Sequence, residues 1–348
     1  MSNVHSTPTG YVRDILDQPA AVRDTLAAFA DFPSLRPFAE RLASGDLRRV
    51  VLTGMGSSYY VLHPLVLTLI ARGLSAHMIE TSELIYYAPA LLEPRTLLVV
   101  VSQSGRSAEV MQLLKRAPGR VPLIGVTNTA GSPLAAHSNV VLLTRAGDEF
   151  SVSSKTYLTA LAALTWLGDA LTGHDPLPNR LALDVAPDAM AQYLAHWTAH
   201  VETLCRQLAD VRYLVLVGRG PSLAAVGTGS LIIKESAYFP AEGLSSATFR
   251  HGPLEMASPD LFVLVYSGAE ATAELNARLA DDVRAAGGQA ALVRESPIPD
   301  VFALPPVPEV TRPLLELLPA QMISLALAQL KGHEAGHFER ASKVTLTE

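Results

Sequence analysis

Thr96-Leu-Leu-Val-Val-Val-Ser102-Gln103-Ser104-Gly105-Arg106-Ser107 is an apolar run that passes into small or amide-bearing polar residues. The pattern predicts a buried strand, a tight turn and then a helix. Hydroxyls and backbone N–H groups gathered at the start of a helix, where the macrodipole is positive, suit an anion. Only Arg106 among these residues is cationic, so the cradle fits a small phosphorylated metabolite better than nucleic acid. A plain capped strand-to-helix turn is the alternative, because Ser and Gly are ordinary cap and turn formers.

On either side of this stretch, short β-branched runs at 50–53, 76–79, 97–101, 123–126 and 140–143 alternate with helical segments. That alternation predicts a parallel sheet with helices on both faces. Residues 11–45 read as helices, with Pro19 near a helix start. Residues 157–171 form an apolar helix, and 173–180, with Gly173, Asp175, Pro176, Pro178 and Asn179, read as a linker. After helices over roughly 185–208, strands recur at 213–217, 261–266 and 290–293.

The second half repeats the first. Arg48-Arg-Val-Val-Leu-Thr-Gly-Met-Gly-Ser-Ser matches Val211-Arg-Tyr-Leu-Val-Leu-Val-Gly-Arg-Gly-Pro-Ser in rhythm, and the stretch 94–107 pairs with 259–272. The expected fold is therefore α/β, two tandem doubly wound units, each a parallel sheet flanked by helices, with ligand space at the carboxyl ends of the strands. The boundaries expected are a helical segment at 1–45, the first unit at 46–175, the second with its linker and helices at 176–332, and a tail at 333–348. Tyr266-Ser-Gly lacks the Gln and one Ser of the cradle, so a single phosphate site, in the first unit, is expected. The polar tail carries Lys343 and either reaches back over a site or frays.

Composition narrows the function. The chain has 348 residues, 49% of them hydrophobic, enough for two domains and a sizeable core. A net charge of −6 gives no electrostatic reason to bind nucleic acid or an anionic membrane. Cys205 is the single cysteine, so an intrachain disulfide and a thiolate metal cluster are excluded and a reducing cytoplasm is the compartment expected. The segment 1–14 lacks a signal-peptide pattern, and apolar runs such as 157–168 and 322–330 fall short of the ~20 residues that span a bilayer.

Several motifs need weighing. Gly54-Met-Gly56-Ser57-Ser58 follows the first strand and invites a dinucleotide reading, but Tyr59 stands where the third glycine belongs. Gly218-Arg-Gly220 likewise lacks the third glycine. His333-Glu334-Ala-Gly-His337 spells a zinc-protease motif, yet Gly332 and Gly336 break the helix that zinc ligation needs, so no metal is expected. His196 and His200 read as ordinary helix residues.

The chemistry concentrates in Lys234-Glu235-Ser-Ala-Tyr-Phe-Pro-Ala-Glu242 and Phe249-Arg250-His251-Gly252-Pro253. A carboxylate on an apolar helix is costly without a partner or a task, and partial burial raises its pKa into a useful range. A carboxylate that shuttles a proton between adjacent carbons, with an imidazole that opens a sugar ring, is a minimal kit for aldose–ketose isomerisation. The structural alternative is a helix Glu235 paired to Arg250 and a turn His251.

The chain resembles the sugar isomerase (SIS) family, in particular the isomerase half of glucosamine-6-phosphate synthase and free-standing amino-sugar-6-phosphate deaminases and isomerases. The matching residues run the whole length: Ile15-Leu-Asp-Gln-Pro19, Gly56-Ser-Ser-Tyr59, Ser102-Gln-Ser-Gly105, Ala146-Gly-Asp-Glu149 with Ser151-Val-Ser-Ser-Lys155, Lys234-Glu235, His251-Gly-Pro253, Leu330-Lys-Gly332 and Ala341-Ser-Lys343. The resemblance implies that Gly56, Ser57, Ser58, Ser102, Gln103, Ser104 and Ser107 form the phosphate and substrate seat, with Val152 and Ser154 facing the sugar hydroxyls. It implies that Glu235 moves the proton between C1 and C2, that His251 assists ring opening from the neighbouring subunit of a homodimer, and that Lys343 approaches the C2 carbonyl as a possible Schiff-base nucleophile. No cofactor is implied.

Three departures qualify it. Ile232 stands where the synthases carry a second lysine, Val152-Ser-Ser-Lys-Thr is one residue shorter than the family stretch, and no glutaminase half is present, so glutamine hydrolysis is not expected. The expected activity is aldose–ketose isomerisation of an amino-sugar 6-phosphate with loss or gain of ammonia, glucosamine 6-phosphate to fructose 6-phosphate or a close analogue, with a non-catalytic phosphosugar sensor as the alternative.

Overall fold

A computed structural model describes residues 10–340 apart from 118 and 120, together with 342–345 and 347. Of the expected N-terminal and tail segments, residues 1–9 and the positions Ala341, Leu346 and Glu348 lie outside the described residues.

Each half builds one five-stranded sheet. In the first, β1 (Arg49–Gly54), β2 (Ala76–Glu80), β3 (Thr96–Val101), β4 (Leu123–Thr127) and β5 (Val140–Leu143) lie in the order β2-β1-β3-β4-β5. In the second, β6 (Tyr213–Gly218), β7 (Ala241–Ser245), β8 (Leu261–Tyr266), β9 (Gln289–Glu295) and β10 (Ala303–Leu304) lie in the order β10-β9-β8-β6-β7. Read from β7, this is the order of the first sheet. All pairs are parallel, with Leu52 opposite Val99 in one sheet and Leu216 opposite Leu264 in the other. Every residue of β3 and β8 is buried, as a central parallel strand covered on both faces requires.

The expected linker is shorter than its Pro and Gly content suggested. A helix Leu177–Leu183 begins within it, because Pro176 and Pro178 occupy the first helical turn, where proline's missing N–H costs nothing. The last helices, Arg312–Leu315 and Leu317–Lys331, form an apolar stretch long enough to cross a membrane, but 83% of its window is buried inside the protein.

One cluster of buried side chains runs through both units, from Tyr11 and Val50 to Leu216 and Ala328. The helix Leu223–Ala237 of the second unit is the join. A Cβ added at Gly227 would strike the Tyr60 ring, and one at Gly56 would lie 3.3 Å from Leu231 Cδ2. The second unit's first crossover helix thus packs on the β1 exit loop of the first.

Candidate active site

In this strand order the chain leaves β1 and β3 in opposite directions, which opens a crevice at their carboxyl ends. Both serine-rich segments sit there. Gly56, at φ +53°, turns the chain into the short helix Ser57–Tyr60. Ser57 Oγ is buried without a hydrogen-bond partner among the described residues.

After β3, Ser102 Oγ accepts the Gly105 N–H at 3.2 Å, Ser104 Oγ accepts the Arg106 N–H at 3.4 Å, and Ser107 caps the helix Ala108–Arg116 by accepting from Val110 N–H. Gly105 is required here: it lies at φ +60°, and a Cβ would collide with Ser132. The Gln103 carbonyl accepts from Thr127 Oγ1 at 3.1 Å and from Asn128 N–H at 3.1 Å, which fixes the loop and leaves its side chain to the pocket. Ser57, Ser58 and Gln103 line one narrow pocket with Thr127, Asn128 and Ser153 over an apolar wall of Val61, Val101 and Val126.

The other wall is organised by Glu149. This buried carboxylate accepts from Ser154 N–H (2.9 Å), Ser154 Oγ (3.1 Å), Thr156 N–H (3.0 Å) and Thr156 Oγ1 (2.8 Å), and pairs with Lys343 Nζ at 3.1 Å. The tail therefore reaches back rather than fraying, and Thr345 supplies a carbonyl to the Ala108 N–H at 3.0 Å, at the first turn of the helix after the serine loop.

Ser154 needs correction. Its side chain is fully buried and donates to Glu149, whereas Ser153 lines the pocket. In this shortened stretch Glu149 draws Ser154 inward and leaves Ser153 at the surface of the cavity. Val152, whose backbone is the part the resemblance points to the sugar, has its side chain buried at 1% exposure. Asp14 holds the same loop from outside, accepting from Phe150 N–H and pairing with Lys155 at 3.1 Å.

Glu235 lies on the interface helix, half-buried, and accepts no hydrogen bond among the described residues. Burial lifts its pKa from 4.5 to about 7; nearby Lys234 opposes the rise and the Glu149 carboxylate adds to it. The structural alternative for Glu235 falls, because Arg250 pairs with Asp282 at 2.6 Å. Ile232 is completely buried, so that position is filled by packing. His251 is exposed on the turn before Gly252, at φ +134°, and makes no hydrogen bond or ion pair with Glu235 or Lys343 among the described residues.

The zinc spelling does not form a site. Gly332, at φ +73°, ends the last helix, and His333 beyond it stacks on Tyr238 with centroids 4.6 Å apart. Among the described residues no group of three or more His, Cys, Asp or Glu could hold a metal ion.

Glu149, Ser153 and Asn128 were not singled out from the sequence as pocket residues. Asn128 directly follows β4, and its place at the carboxyl end of a central strand is the signal that could have found it.

A family model for the SIS domain matches residues 46–167 and again 207–329, one copy on each sheet. The chain belongs to the SIS domain family. It is 32% identical over 335 residues to the glutamine–fructose-6-phosphate aminotransferase of Pyrococcus horikoshii, a match covering 92% of this chain and 55% of that protein. The chain thus spans about half the length of the curated relatives it matches.

Among solved structures, the C-terminal domain of glucosamine-fructose-6-phosphate aminotransferase from Francisella tularensis superposes with a TM-score of 0.84 at 20% identity, covering 97% of this chain and 100% of that one. Glucosamine-6-phosphate deaminase from Thermotoga maritima gives 0.73 at 18% identity, covering 97% and 100%. These likenesses establish two tandem SIS units as the fold.

Proposed function

We propose that this SIS protein isomerises a hexose 6-phosphate, with glucosamine 6-phosphate the first substrate to test, releasing ammonia as the 2-ketose forms. The observation that carries the proposal is Glu235: a half-buried carboxyl with its pKa raised to about 7, on the second unit's helix whose Gly227 and Leu231 pack on the serine turn of the first. A general base works best with a pKa near the operating pH.

The phosphate sits on Ser58, Ser102, Gln103, Ser104 and Ser107, with Gly56 and Ser57 shaping the turn, so that C1 and C2 lie toward Glu235. Glu235 removes the C2 proton and returns it at C1 while an amine proton passes to O1 through solvent, which converts an aldehyde beside an amine into an alcohol beside a C2 imine. Water then adds to the imine and ammonia leaves. Lys343, held by Glu149 at the pocket wall, supplies a cation beside C2. An ammonium so paired must lose its proton before it can act as a nucleophile.

His251 opens the ring. The resemblance to the SIS family implies that it does so from a neighbouring copy, in a homodimer with shared sites, and its exposure leaves it free to reach one. The single cysteine suits a reducing cytoplasm.

The test is a panel of hexose and hexosamine 6-phosphates assayed for ketose phosphate and ammonia. Turnover with both products supports deamination, and ketose without ammonia from a non-amino sugar narrows the activity to plain isomerisation. Thermal stabilisation by a sugar phosphate with no turnover in the panel would overturn the enzyme and leave a sensor.

A further inference from the structure

The crevice at β1 and β3 has a counterpart at the carboxyl ends of β6 and β8, and there the chemistry is different. Arg219 directly follows β6, Arg250 ends the helix Ser246–Arg250 after β7, and Arg278 lies on the helix Glu270–Ala285 after β8. With Leu275, Asp281 and Asp282 they bound a cleft of about 490 Å³.

We propose that this cleft is a second anion site, which takes the phosphate of a phosphorylated small molecule.

Arg219 carries the case. Its side chain makes no hydrogen bond or ion pair among the described residues, and its Nε is buried without a partner. A desolvated cationic donor with no acceptor is costly, and an oxyanion on it removes that cost. The acids in the cleft are already engaged: Asp282 pairs with Arg250 at 2.6 Å and Asp281 with Arg284 at 2.7 Å, while Arg278 pairs with Glu274 outside the cleft. A guanidinium has five N–H donors, so Arg250 and Arg278 keep donors for a phosphate beyond these pairs. Leu275, 47% exposed, offers an apolar rest for the organic part of the ligand.

Location reinforces chemistry. Open α/β sheets bind ligands where neighbouring strands send the chain in opposite directions, as β6 and β8 do; Arg219 stands at that point, and the cleft runs from it along the helices that follow β7 and β8. The second unit has traded a hydroxyl cradle for guanidinium groups rather than losing its site, which revises the single phosphate site expected from the sequence.

Equilibrium dialysis of the full chain against labelled inorganic phosphate tests this. The expected result is two phosphates bound per chain. Arg219→Gln should weaken one of them about 10- to 100-fold, and Ser102→Ala with Ser104→Ala should weaken the other. Arg278→Gln, at an exposed position, should repeat the Arg219→Gln effect and serves if that variant folds poorly. If wild type binds one phosphate that only the serine substitutions remove, the second site is overturned. If it binds one that only the arginine substitutions remove, the second site stands and the serine seat proposed above falls.

Discussion

The two units share a strand order and differ in what they hang on it. After β3 the first places Ser102, Gln103 and Ser104; after β8 the second places Ser267 and Gly268, whose carbonyl accepts from Arg312 Nη1 at 2.7 Å. Each also sits beside a glutamate lifted by burial to about 7: Glu235 at the interface and Glu316 inside the second unit. Glu316 is 2% exposed and accepts from Ser222 Oγ at 2.8 Å, while Glu235 is half-buried with no donor. A raised pKa alone does not mark a catalytic acid. Glu316 also keeps one oxygen, Oε2, without a partner, so what separates the two is access: under the proposed function the carboxyl that does chemistry is the one whose burial leaves a path to ligand.

The largest effect should separate these two carboxyls. Glu235→Gln should lower kcat about 10²- to 10⁴-fold, the usual weight of a positioned proton carrier, whereas Glu316→Gln should leave turnover near wild type; equal losses would erase the distinction. If Glu235 acts first as a base, log kcat/KM in the wild type should fall with unit slope as pH drops through about 7.

Glu316 should instead show itself in stability. Its folded pKa is above its unfolded one, so the folded state keeps a proton the unfolded chain has lost, and stability declines as pH rises from about 4.5 to about 7. Glu316→Gln should remove that contribution, and its melting temperature should gain on wild type across that range and hold a constant lead above it.

Next come the loops. Ser104→Ala should raise KM for the sugar phosphate about tenfold with kcat little changed, the signature of a lost ground-state phosphate contact. Ser267→Ala, the second unit's counterpart of Ser102, should change neither.

The last contrast concerns glycine and is read in stability rather than turnover. Gly105→Ala forces a left-handed residue against Ser132 and should cost more than the roughly 1–2 kcal/mol of that backbone region alone. Gly268→Ala, at φ +68° with Ser222 Oγ 3.1 Å from the added Cβ, should cost about 1 kcal/mol. The order of their melting temperatures checks this.

Much of the scaffold was legible because central parallel strands are apolar throughout, as in Thr96–Val101 and Leu261–Tyr266. The edge strand Ala241–Ser245 was not read: Ala-Glu-Gly-Leu-Ser has low β-propensity and is a strand because β6 supplies its partners. Ser57, Ser58 and Gln103 were legible as residues just past strand ends. Glu149 was not placed, because its donors come from Ser154, Thr156 and Lys343, and a loop that far from the tail gives no local signal of that meeting. The same carboxylate takes up the Ser154 that the family resemblance assigned to the sugar and leaves Ser153 on the pocket.

The helix Leu223–Ala237 answers to two neighbours at once. Gly227 must clear the Tyr60 ring of the first unit, and two residues on Gly229 must clear Leu216 and Ala320 of its own. The choices open along it are those both sides accept, so its vocabulary is narrower than that of the first-unit crossover His63–Ala71, where Leu67 and Ile70 face solvent. In a library of substitutions the second-unit helix should be the less tolerant of the two, and the residues that bar change there are the ones with the smallest side chains.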